Sequence, residues 1–239
     1  MQRDKALHTL KQSEQAMSTL NFHLVDLTQP LQPDMPTWPN DPVMRMEPWS
    51  SVEQDGFLLH RLSLGEHSGT HLGAPRHFQP TGVSVEQIGL EKLFAPAMKI
   101  KLPPESELLS YKDIVRWEAQ HQPIPSDHWL IVETGWSRHW NEQERYCNGF
   151  PGVEAEAVRY VCSSRRIVGI GIDSPGVDGA ADQHFCANRT LAEHQCLHLE
   201  NLTNLNPLPA SGFWLFIGSL PIVAGSGSPC RVLALIPTA

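Results

Sequence analysis

No run of eighteen consecutive apolar residues occurs in this 239-residue chain, so no segment reads as a membrane-spanning helix. Positive charge is in deficit, with 18 Lys and Arg against 26 Asp and Glu and a formal net charge of -8. Neither a nucleic acid nor a membrane surface is therefore an expected partner, since both usually need a basic patch. The five cysteines (Cys147, Cys162, Cys186, Cys196, Cys230) are scattered and odd in number, and no two are spaced as Cys-x-x-Cys. That pattern argues against a disulfide framework or a thiolate zinc site and leaves most of them as small buried hydrophobes. No serine-nucleophile elbow is present either: Gly225-Ser226-Gly227-Ser228-Pro229 has Gly227 where the serine is needed and Pro229 where the last glycine is needed. The glycines of Gly169-Ile170-Gly171-Ile172-Asp173 lie inside an apolar run with no Lys-Ser or Lys-Thr after them, so a phosphate loop is also missing. The opening MQRDKALHTLKQSEQAM lacks the apolar core of a signal peptide, which makes the cytoplasm the expected compartment.

What is present suits one large globular domain with a sizeable core. Residues 1–20 read as a polar extension, either a short helix outside the core or a partly disordered arm, and residues 21–239 as the domain. LVDLT at 24–28 reads as a first strand. Five prolines (Pro30, Pro33, Pro36, Pro39, Pro42) then force an extended, stiff path around Trp38. FLLHRLSL, APAMKIKL, DHWLIVETGW, RRIVGIGID, CLHLENL, FWLFIGSLPI and CRVLALI read as strands. SYKDIVRWEAQH and VEAEAVRYVCSS read as helices, with shorter ones in VSVEQIGLEKL and RTLAEH. Strands outnumber helices but alternate with them, which predicts an α/β domain with a mixed sheet and its chemistry on loops at strand ends.

The chemistry concentrates in His67-Ser68-Gly69-Thr70-His71-Leu72-Gly73-Ala74-Pro75-Arg76-His77, three histidines within eleven residues. Two imidazoles four residues apart can converge on one divalent cation while a third carries protons. The helical zinc motif of metalloproteases needs Glu directly after its first His. Here that place is Ser68, and the glycines and Pro75 predict a tight loop instead. Glu200, at the end of an apolar strand, is costly to bury without a cation or an arginine. His67, His71 and Glu200 make a two-His, one-carboxylate set with His77 as base or acid. His198 lies two residues before Glu200 on the same strand face; it could be a ligand, but reads more readily as a solvent-facing or hydrogen-bonded histidine. Asp182 and His184 form a further pair in a loop.

At these residues the chain resembles the cyclase-like metal-dependent hydrolase family, the bacterial kynurenine formamidase, isatin hydrolase and trans-dienelactone hydrolase type. The family motif HxGTHxDxPxH is met at His67, Gly69, Thr70, His71, Pro75 and His77. Further matches are PTWPNDP around Trp38, Glu133-Thr134-Gly135-Trp136, GIDSPG at 171–176, Glu200-Asn201-Leu202 and GSPCRVLAL at 227–235. The resemblance implies a swivelling β/β/α-type single domain that forms a homodimer or higher homo-oligomer. It implies metal ligands at His67, His71 and Glu200, a proton-transfer histidine at His77 and a substrate-lining aromatic at Trp38. Two positions depart from it: the motif aspartate is Gly73, and the histidine twelve residues before the glutamate is Asn188. In two-metal relatives both positions serve the second ion, so one retained ion is expected, zinc or manganese, with Asn188 or His184 as substitute ligands. Restoring Gly73→Asp and Asn188→His is expected to raise the metal content toward two.

Two functions remain in view. One is a metal-dependent hydrolase cleaving a small amide, lactam or lactone with metal-activated water and a histidine acid/base. The other is a non-catalytic small-ligand-binding relative whose metal site has degenerated.

Overall fold

The computed structural model describes residues 21–238, so the expected extension at 1–20 lies outside the described residues. The strands are β1 (Phe22–Asp26), β2 (Arg45–Ser50), β3 (Leu59–Ser63), β4 (His71–Gly73), β5 (Phe94–Lys101), β6 (Leu108–Leu109), β7 (Trp129–Glu133), β8 (Gly152–Val153), β9 (Gly169–Ile172), β10 (Leu197–Glu200), β11 (Phe213–Ser219) and β12 (Gly227–Pro237). Eight of them form one sheet in the order β1-β12-β11-β5-β7-β9-β10-β4, and β12 also pairs with β4, which closes the sheet on itself. Neighbours β5, β7, β9 and β10 run parallel, while the remaining pairs are antiparallel. Parallel neighbours need crossovers, usually helical. Here α1 (Tyr111–Gln120), α2 (Ala155–Tyr160) and α3 (Cys186–Glu193) supply them. The expected α/β class with a mixed sheet is thus what the chain forms.

Alternation along the strands divides the core in two. Ala95, Ala97, Trp129, Ile131, Leu197, Leu199, Phe213, Leu215, Val232 and Ala234 fill the interior of the closed sheet. Met98, Ile100, Leu130, Val132, Ile170 and Ile172 face outward against Ile114 of α1, Val158 of α2 and Leu191 of α3. Covered on both faces, β7 and β9 are buried at every position, which is why they read as unbroken apolar runs. A third cluster of Met35, Met44, Trp140 and Tyr146 pins the proline-rich segment to the body.

Three local expectations need correction. The histidine stretch is a loop only as far as Thr70, because His71–Gly73 form strand β4 between β10 and β12. The helix expected in RTLAEH begins earlier, at Cys186, since Asp178 accepts from the backbone N–H groups of Ala187 and Asn188 and so caps its first turn. VSVEQIGLEKL breaks into two single turns, Val85–Gln87 and Leu90–Leu93, around Gly89.

Candidate active site

The site grows from one antiparallel ladder. On β4 and β10 His71 stands opposite Glu200, Leu72 opposite Leu199, and Gly73 opposite His198. Side chains alternate across a strand, so Leu72 and Leu199 enter the core while His71, His198 and Glu200 share the opposite face. His67 joins them from the loop. His67, His71 and His198 offer ring nitrogens that all lie within 4.8 Å of one another. His198, read from the sequence as solvent-facing or hydrogen-bonded, is instead buried within this cluster. The two-residue spacing to Glu200 gave the shared face. Its pairing with a residue far away in sequence was not visible.

Hydrogen bonds fix which nitrogens are free. His71 Nδ1 lies 2.9 Å from the Gly69 carbonyl, which only accepts, so Nδ1 carries the proton and Nε2 a lone pair. That lone pair faces the Glu200 carboxylate, with His71 Nε2 3.2 Å from Oε2. With the ring neutral, two acceptors confront each other there, and His71 Nε2 is buried without a hydrogen-bond partner. Around His67, the Ser226 hydroxyl donates to Glu66 at 2.6 Å and lies 3.1 Å from His67 Nε2. Nε2 is therefore the donor and Nδ1 the lone pair, an arrangement in which outer partners orient a ligand ring. Glu200 Oε1 accepts from the Val177 backbone at 3.0 Å and from Asn188 Nδ2 at 3.1 Å. This leaves Asn188 Oδ1 buried without a partner. Buried lone pairs with no donor near them are costly, and a divalent cation is the group that satisfies such a set.

The electrostatics agree. Burial, reinforced by His71, His77 and His198, holds His67 far below the ordinary imidazole range. His198 is pushed down to about 4, chiefly by burial and against the pull of Glu200. Burial would raise the Glu200 carboxyl, but His198, His71 and the Asn188 amide outweigh it and hold the group below the usual carboxylate range. Neutral imidazoles and an ionised carboxylate are the forms that bind metal.

A cavity of about 380 Å³ opens onto this cluster. His77 lines it, with its ring centroid 3.9 Å from that of His67. Trp38 forms an aromatic wall with Phe185, 6.1 Å away between centroids, and with Phe78, which lies 5.7 Å from Phe185, while Phe150 packs against Trp38 at 5.8 Å. Asn188 and Asp182 also line the cavity, whereas His184 does not and is exposed, with its backbone N–H donating to Asp182. The structure therefore gathers His67, His71, His77, Glu200, Trp38 and Asn188 and leaves His184 aside. Sequence reasoning missed Glu66 and Ser226, which act only through a contact across 160 residues.

The chain matches the family model described as putative cyclase over residues 25–179. The isatin hydrolase of Roseibium aggregatum is 32% identical, the alignment covering 90% of this chain and 92% of that one. A kynurenine formamidase of Bacillus cereus is 28% identical over 87% of this chain and 95% of its own. A crystal structure of an isatin hydrolase bound to the product analogue thioisatinate superposes with a TM-score of 0.87 at 30% identity, covering 98% of this chain and 99% of that one. Isatin hydrolase A from Ralstonia solanacearum gives a TM-score of 0.85 at 29% identity over 95% and 97%. With the fold, the motif residues and the family model in agreement over most of its length, this chain belongs to the cyclase family.

Proposed function

We propose that this chain is a metal-dependent hydrolase of a small amide, and that its preferred substrate is a flat aryl amide or lactam. The observation that carries the reading is the unpartnered Nε2 of His71 facing Glu200 at the base of an aromatic-walled cavity. His67 and His71 would hold a divalent cation, with Glu200 supplying the balancing negative charge. When bound, such an ion supplies Lewis acidity, polarising a carbonyl oxygen and making water a better nucleophile at neutral pH. Trp38, Phe78 and Phe185 orient a planar substrate and keep bulk water from its faces. His77 takes the proton of the attacking water on a ring nitrogen and returns it to the leaving nitrogen as the C–N bond breaks, giving a carboxylate and an amine. Desolvation of its ring lowers the His77 pKa, with Glu200 opposing, which favours the neutral base this step requires.

Relatives that are isatin hydrolases and kynurenine formamidases support the amide class. Imidazole-rich ligation suits zinc before manganese. Five unpaired cysteines suit the reducing cytoplasm, and among the described residues no helix is long and apolar enough to cross a membrane. We also assign a homo-oligomer, because Met46, Trp49, Leu59 and Leu62 of the β2–β3 ribbon stand in solvent. The experiment is turnover of isatin, N-formylkynurenine and a dienelactone by protein loaded with one equivalent of zinc or manganese. Hydrolysis of an amide substrate is expected. Binding without turnover of any of them would instead make the chain the non-catalytic relative.

A further inference from the structure

We propose that His198 is the third imidazole ligand of a single-cation site, and that Gly73 is the residue that admits it. The inference rests on the metal-dependent reading above but concerns how this chain builds its ligand set. Gly73 and His198 are partners in the β4–β10 register. A Cβ built on Gly73 would overlap the His198 imidazole at Nε2, Cε1 and Cδ2. Any side chain at 73 and the present ring at 198 therefore exclude each other, because one volume serves both. The ring stands in the volume that a carboxylate at 73, the motif's residue, would enter. Gly227 does the same for His67, since a Cβ there would come within 2.5 Å of Cε1 and 2.9 Å of Nδ1. Two strands thus carry glycine where an imidazole lies flat against the backbone.

The position of His198 is that of a ligand. It is buried, its ring nitrogen lies within reach of those of His67 and His71, and its ring centroid is 6.1 Å from the former and 6.3 Å from the latter. Three neutral imidazoles with one open position is an arrangement that zinc accepts. Exchanging a carboxylate for an imidazole moves the preference toward zinc, cobalt or nickel and away from manganese and magnesium. The same geometry argues against the gain of a second ion expected from Gly73→Asp with Asn188→His, because the new side chain at 73 meets the present His198 ring first.

The test is calorimetric titration of chelator-treated protein with Zn²⁺ and with Mn²⁺, supported by the visible spectrum of the Co²⁺ form. The parent protein is expected to bind one Zn²⁺ and to prefer it strongly to Mn²⁺. His198→Gln should melt as the parent does in chelator yet bind Zn²⁺ at least about a hundredfold more weakly, since even outer partners of metal ligands are worth ten- to a hundredfold. The exchange Gly73→Asp with His198→Ala should recover much of that affinity and shift the preference toward Mn²⁺. If His198→Gln binds Zn²⁺ as tightly as a metal-binding parent, this inference falls and the functional reading stands. If the parent binds neither Zn²⁺ nor Co²⁺, both fall.

Discussion

His71 and Glu200 face each other across one rung of β-structure with an acceptor on each side, and this confrontation is the most consequential residue-scale feature of the chain. Glu200→Gln should cut metal affinity by about ten- to a hundredfold while leaving the fold intact, because the amide can still pair with the Val177 N–H; titration against melting separates the two. His77→Ala should keep the metal and lose about a hundred- to ten-thousandfold in kcat; loss of bound metal would make His77 a ligand instead. In metal-free protein the two depressed imidazoles, His67 and His198, resist protonation that the unfolded chain accepts. Their contribution to stability is therefore fully present above pH about 6.5, the free imidazole value, and is lost as pH falls toward the value near 4 of His198. Denaturant midpoints of the apoprotein between pH 7 and 4 should decline accordingly, and zinc should shift the decline to lower pH. His67, His71 and His77 were legible as a cluster through their type and short spacing, and Glu200 through its place at the end of an apolar strand. His198 was not, because its meaning depends on Gly73, which lies opposite it only in the folded sheet.

At the scale of elements, legibility followed the strength of local signals. Helix α1 announces itself through apolar residues at helical spacing, and in the structure Ser110 and Asp113 close its start with a capping box. Ser110→Ala should therefore cost about 1 kcal/mol, a fall of about 2–4 °C in Tm for a chain of this size; an unchanged calorimetric Tm would show that the cap adds nothing. Strands β7 and β9 were equally plain. Strand β4 was not, because glycine and proline around it signal a loop and its pairing comes entirely from β10 and β12. A further inter-element tie escaped the sequence altogether. Glu118 of α1 accepts from Arg165 at 2.6 and 2.9 Å, from the Ile124 backbone at 2.9 Å and from Tyr160 at 2.7 Å. Removing Arg165 would leave that carboxylate poorly paired against α2, and no periodicity encodes such a contact.

For the whole molecule, the α/β class and mixed sheet followed from the alternation of elements, whereas closure of the sheet did not, since one strand must pair on both edges to achieve it. The exposed ribbon of β2 and β3 carries Trp49 at 68% exposure, an apolar surface that a second copy would cover. Sedimentation should give a dimer or larger species, with Trp49→Glu weakening it; a monomer at micromolar concentration would remove the oligomer assignment. The closure also has a kinetic side. Strand β4 is the seam, and residues on both of its flanks converge on the proposed cation: His198 from β10, and His67 through Ser226, which directly precedes β12. Escape of the ion and parting of the seam would then be one event with one rate. Deuterium uptake at the amides of Ala74 and Cys230, whose hydrogen bonds to Ser226 and Thr70 stitch that seam, should slow on zinc loading and match the metal's dissociation.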